Sequence, residues 1–323
     1  MTVLSATFRQ TLGSLRLVGL LYGVTLVLAL LAALPLYNTL LAEDQNSRAF
    51  LNLLNGFDYT VYSDFMHRSE RAINPLMSVG RWLGVLYVFL SVFTAGGILW
   101  RFAQITGSRP AVPFHIGQFL SACSQYIGRF LRLFGVTFLF VLAGAGIWLV
   151  IGSLVSIALS DSLTERGLFW IGLVFFVLFV LTATLLLCIG DYAKVLMFRE
   201  DERNAFRVFG RAGRLVWRNL GKTYGLYWLL IGIGTGLFGL YFLLDEAILM
   251  NGWLPILTML VVQQALIFAR VGLKVWSLGT AYGIYETLPK PAPTVRPTRV
   301  AEPAYEQQPP AESEEDKPGT MIV

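Results

Sequence analysis

Six apolar stretches, at about residues 17–37, 82–100, 133–157, 168–190, 223–244 and 254–280, decide what this chain can become. A hydrocarbon core of roughly 30 Å takes about 20 residues of helix to cross, and each run is near that length or longer. Backbone polar groups in lipid must be satisfied within the segment, so runs of this kind form helices. The alternating ten-residue pattern of a membrane β-barrel is absent. The expected fold is all-α, a polytopic bundle of six transmembrane helices. Ala29, Ala32 and Ala33 supply small residues near the end of the first run, as a signal-peptide cleavage site would. That run exceeds the roughly 7–15 apolar residues of a signal peptide, and a polytopic chain follows it, so it is expected to be retained.

Only 14% of the 323 residues are charged, against about 25% in a soluble domain. Their distribution alternates. Arg9 and Arg16 precede the first run with no acid, and Arg101, Arg109, Arg129 and Arg132 occupy 101–132 with no acid. Segment 191–222 holds eight basic residues against four acids. The intervening loops lean acidic, with Glu43, Asp44, Asp58, Asp64 and Glu70 in 38–80 and Asp245 and Glu246 in the last turn. Basic loops stay in the cytoplasm, so both termini are expected there and the 38–80 loop outside.

The chain also echoes itself. Phe119, Ala122, Phe134 and Gly135 match Phe209, Ala212, Tyr224 and Gly225 at a constant offset of 90 residues. LRLVG at 15–19 resembles LRLFG at 131–135, with GKTYG at 221–225 as a third copy. Inward helices end alike, in AGGILWRF at 95–102, LCIGDYAK at 187–194 and SLGTAYGI at 277–284. A threefold repeat is expected, each unit an amphipathic segment, an outward helix, a turn and an inward helix. Sites in repeated membrane folds tend to lie between the copies.

Three amphipathic segments precede the outward helices. In 112–131 the apolar stripe is Ile116, Phe119, Leu120, Cys123, Ile127, Phe130 and Leu131. In 203–220 it is Phe206, Phe209, Gly213, Val216, Trp217 and Leu220, opposite a ridge of Arg203, Arg207, Arg211, Arg214 and Arg218. Leu4, Phe8, Leu12 and Leu15 sketch a shorter version. A helical period with a basic polar face suits the membrane interface. The ridge is therefore expected to bind lipid, anionic by charge complementarity; a helix packed on the bundle would show the same stripe.

Polar residues inside spans are the default place to look for function. Gln263 and Gln264 fall near mid-bilayer, and such side chains often stitch helices together. Arg270 and Lys274 fall near the cytoplasmic boundary, as does Asp191 on the fourth helix, so Asp191 is expected to pair with one of them. Alternatively, Gln263, Gln264 and Arg270 line a path for a small or lipid-like solute. Cys123 and Cys188 have no metal-ligand spacing and read as packing residues. Asp58, Asp64 and His67 match no ligand pattern and read as loop charge. Catalytic motifs are lacking, and His67 and His115 are expected on opposite sides of the membrane. No enzyme activity, metal, cofactor or nucleic-acid partner is expected.

GDYAKVLMFREDERNAFRVFGRAGRLVWRN and QQALIFARVGLKVWSLGTAYGIY resemble the cytoplasmic loop and last helix of a family of uncharacterised bacterial six-helix membrane proteins. The resemblance covers residues 5–288 and implies a bacterial cytoplasmic membrane. A more distant likeness is to the membrane domains that accompany some glycerophosphodiester phosphodiesterases, without the phosphodiesterase domain itself. Domain 1–288 is thus the membrane bundle. The Pro-rich 289–323, with little to bury, is expected to be a disordered cytoplasmic tail available to a protein partner. The function expected is non-enzymatic, organising lipid or a protein at the cytoplasmic leaflet.

Overall fold

A computed structural model of the protein describes residues 3–44, 59–68, 70–107, 113–160, 162–248 and 252–288. It divides into one compact unit, Met1–Thr287, and a second, Leu288–Val323, of which only Leu288 is described. The expected disordered tail and Asp58 lie outside the described residues.

Helix is the only regular secondary structure among the described residues. The order is α1 (Val3–Leu12), α2 (Leu15–Asp44), α3 (Tyr59–Arg68), α4 (Glu70–Gly107), α5 (Ile116–Leu159), α6 (Glu165–Glu200), α7 (Ala205–Arg218), α8 (Leu220–Ala247) and α9 (Trp253–Thr287). Leu15–Pro35 of α2, Met77–Thr106 of α4, and all of α5, α6, α8 and α9 are long and apolar enough to cross a bilayer. The protein has the architecture of a multi-pass membrane protein, all-α as its sequence implies.

Several helices overrun the bilayer. At 1.5 Å per residue, the 44 residues of α5 reach about 66 Å and the 36 of α6 about 54 Å. Their surplus lies at the end that carries the basic segments. That basic end also holds the core: Leu17 and Val18 of α2, Ile98, Leu99 and Phe102 of α4, Phe119, Phe130 and Leu133 of α5, Val195 and Met197 of α6, and Val275 of α9 are buried. The opposite halves expose their apolar side chains, among them Leu142, Leu149 and Leu154 of α5 and Phe169 and Phe176 of α6. Lipid tails are as apolar as leucine, so no hydrophobic force draws these halves together. The bundle is clamped where its helices leave the hydrocarbon.

Three glycines make the clamp tight. A Cβ on Gly97 of α4 would lie 2.3 Å from Phe119 of α5, one on Gly190 of α6 3.0 Å from Thr137 of α5, and one on Gly279 of α9 2.2 Å from Phe102 of α4. Each glycine sits in one of the repeated inward-helix endings. Leu17, Leu133 and Thr223, which the expected repeat aligns with one another, are all buried to 1% exposure or less. The units differ at their joints. A turn at Gly13–Ser14 separates α1 from α2 and another at Asn219 separates α7 from α8, while the equivalent Arg129–Phe130 continues within α5.

That continuity corrects one expectation: 112–131 is no separate interfacial helix. From Ile116 onward it is the first third of α5. Phe119, Cys123 and Phe130 pack inward, while Ile116, Leu120 and Leu131 stay exposed. α1 turns its threonines, and not its apolar stripe, to the bundle. Phe8, Leu12 and Leu15 are exposed, and Thr7 and Thr11 are buried. The Thr7 hydroxyl meets that of Thr280 at 3.2 Å, and the Trp276 indole donates to Thr7 Oγ1 at 3.2 Å. Threonine is small and can bond across the interface, so it permits the close approach that leucine prevents.

Candidate functional site

The basic ridge stands on α7, and two local devices aim it. Asp201 ends α6 in the left-handed conformation, at φ 51°, which Asp tolerates better than most residues. Asn204 then caps α7, its side chain accepting from the Arg207 N–H at 3.3 Å. Arg129 of α5 holds the turn from the other side by an ion pair to Asp201. That hydrogen bond and charge keep the Asp201 carboxyl below the usual carboxylate range. The pair should therefore persist as pH falls to about 4, the ordinary Asp value, and be lost only below it.

The apolar stripe of α7 divides between the bundle and the exposed surface. Ala205, Val208, Phe209, Ala212 and Val216 face the bundle, and the Phe209 ring stacks on Phe140 of α5 at 4.9 Å. Phe206 and Trp217 are instead 60% and 68% exposed. At about 100° per residue they flank the buried face, and Arg207, Arg214 and Arg218 lie beyond them. The small residues Ala205 and Ala212 win the inner face because they let α7 approach α6 and α5 closely. Large aromatics are left exposed on the side of the arginines.

The arginines divide by partner. Arg211 binds Glu200 at 2.5 Å, and Arg207 approaches Glu202 at 3.9 Å. Arg203, Arg214 and Arg218 are exposed; the Arg203 charge adds to that of Arg129 in lowering the pKa of Asp201, while Arg214 and Arg218 have no ion-pair partner among the described residues. Glu200 also accepts from the Tyr285 hydroxyl at 3.1 Å, and Arg199 pairs with Glu286, tying α6, α7 and α9 together. Sequence reasoning missed this network. Its acids and tyrosine lie far apart along the chain, and only the run of basic residues on one face was legible.

The intramembrane polar residues do not converge. Gln263 donates from Nε2 to the Tyr241 hydroxyl of α8 at 3.2 Å, and Gln264 Oε1 accepts from Tyr22 of α2 at 2.7 Å. Both stitch helices, to opposite neighbours. Replacing Gln264 by Leu should cost about 0.6 kcal/mol, the typical worth of an interhelical bond in a membrane. Thermal unfolding in detergent should show Tyr22→Phe adding little to it, since the partner is already lost.

Asp191 takes a nearer partner than expected. Its carboxylate binds Lys194 one turn on at 2.7 Å, not Arg270 or Lys274. Lys274 donates to Ser91 Oγ of α4 at 2.7 Å and lies 5.3 Å from the centre of the Tyr87 ring. The i,i+3 spacing on one helix satisfies the acid locally without crossing the bundle. Arg270 lies exposed in a groove between α8 and α9, with Gln263 and Tyr241. Cys123 and Cys188 are buried free thiols, and the described residues hold no metal-ligating group of three. Comparison with protein-family models, curated proteins and solved structures gives no match.

Proposed function

We propose that this protein is a non-enzymatic organiser of anionic lipid at the cytoplasmic leaflet of a bacterial inner membrane, with α7 as its contact surface. The observation that carries the reading is one exposed α7 surface with Phe206 next to Arg207 and Trp217 next to Arg214 and Arg218, the last two with no carboxylate partner among the described residues. Aromatic rings settle at the level of lipid headgroups and arginines bind their phosphates. Phe8 and Leu12 of α1 and Leu15 of α2 are further exposed apolar side chains at the basic end. Transport is the weaker reading, because Gln264 turns to α2 while Gln263 and Arg270 turn to α8, so the three share no route. The bacterial setting follows from the family resemblance and the inward orientation from the basic loops.

In the full-length protein reconstituted in phosphatidylcholine, spin-labelled phosphatidylglycerol should be immobilised in preference to spin-labelled phosphatidylcholine. Each arginine near an anionic surface contributes about 1 kcal/mol, so Arg214→Gln with Arg218→Gln should remove most of the preference. Added salt should weaken it too, by screening. Equal immobilisation of the two lipids by the unaltered protein would end the lipid reading and favour a soluble partner.

Orientation has its own test. With Cys123 and Cys188 replaced, Asp58→Cys should react with an impermeant thiol reagent in intact cells, and a cysteine in the tail should not. The reverse pattern would overturn the topology.

A further inference from the structure

The groove between α8 and α9 has a volume of about 550 Å³, within the usual range of small-molecule sites. Ile231, Phe238, Leu266, Ile267 and Leu273 give it apolar walls. Arg270 supplies its one charge. An arginine within a span ordinarily finds a counter-ion or a cavity. Other cations at this end have partners: Lys274 has Ser91 and Lys194 has Asp191. Arg270 has no hydrogen-bond or ion-pair partner among the described residues.

Depth identifies what would complete it. Arg270 lies 17 residues into α9, about 26 Å from its start, within about one turn of the basic-end boundary of a 30 Å core. There its guanidinium can reach the plane of lipid phosphates. Gln263 lies two turns deeper and is bonded to Tyr241, so the inner groove calls for no second charge. A single cation at the mouth and apolar walls beyond it match one amphiphile with an anionic head.

We propose that this groove holds one membrane phospholipid, its phosphate on Arg270 and an acyl chain along Leu266, Ile267 and Phe238. The inference rests on the lipid role proposed above but on a different surface from α7, so the two can fail separately.

The full-length protein in vesicles containing phosphatidylglycerol with a photoactivatable diazirine in its acyl chain provides the test. Mass spectrometry should find label on α8 and α9 peptides bordering the groove. Arg270→Gln should reduce it about tenfold, the loss expected for a charge-assisted hydrogen bond, and Arg270→Lys should recover much of it. Ile267→Trp, which fills the groove and leaves the charge, should also block labelling. Arg214→Gln with Arg218→Gln should leave groove labelling unchanged, even if those substitutions abolish lipid preference at α7. Labelling that survives both Arg270→Gln and Ile267→Trp would overturn the site. Crosslinking of the groove to a second copy of the chain in place of lipid would overturn it as well.

Discussion

A single added methyl group at position 279 should be among the most damaging changes the bundle can suffer. In Gly279→Ala the new Cβ would lie 2.2, 2.5 and 2.7 Å from three carbons of the Phe102 ring. Phe102 is only 2% exposed, so the ring has nowhere to turn. Overpacking of this kind typically costs about 1–3 kcal/mol, and here α4 must part from α9 to relieve it. Trimming the ring tests the cause. Phe102→Leu should destabilise the native protein yet recover stability in the Gly279→Ala background, a coupling visible in a double-mutant cycle. Gly146→Ala is the control, since nothing lies within 4 Å of its Cβ position and alanine favours helix by about 1 kcal/mol. Thermal unfolding in detergent reads all five proteins. If Gly279→Ala melts with the unaltered protein, the α4–α9 crossing is not as described.

Removing the Glu200 carboxylate should release α7 from the clamp. Glu200 takes the Arg211 guanidinium and the Tyr285 hydroxyl at once, joining the end of α6 to α7 and α9. Hydrogen bonds to charged groups contribute about 1.5–3 kcal/mol when buried. Both members of this pair are partly exposed, at 27% and 38%, so solvent screening brings the expected loss in Glu200→Ala toward about 1 kcal/mol. The local effect should exceed the global one. Limited proteolysis ought to cut the 201–204 turn faster in Glu200→Ala than in Arg214→Ala, because Arg214 has no ion-pair partner among the described residues. Equal cutting rates would mean that the α7 position depends on its buried face alone.

These two changes also mark where sequence reading stopped. The six spans were legible because hydrocarbon admits only backbone that satisfies itself, and that demand writes itself as long apolar runs. The basic bias of alternate loops and the arginine row on 203–218 were legible because charge and helical period are local properties. The repeated glycines in AGGILWRF, LCIGDYAK and SLGTAYGI were visible as letters, but not as contacts.

Partners were decided by tertiary structure. Asp191 chose Lys194 on its own helix, and Lys274 chose Ser91, because which ends share a depth does not say which faces meet. The threonine face of α1 turned inward and the Phe8–Leu12 face outward, since α9 offers hydroxyl and indole groups at close range. On α7, alanines took the inner face and left Phe206 and Trp217 outside, against a reading by hydrophobicity alone. In a membrane, apolar side chains gain as much from lipid as from one another. The sequence by itself therefore determined which segments enter the bilayer, and close packing of small residues, with a few polar bonds, decided how they meet.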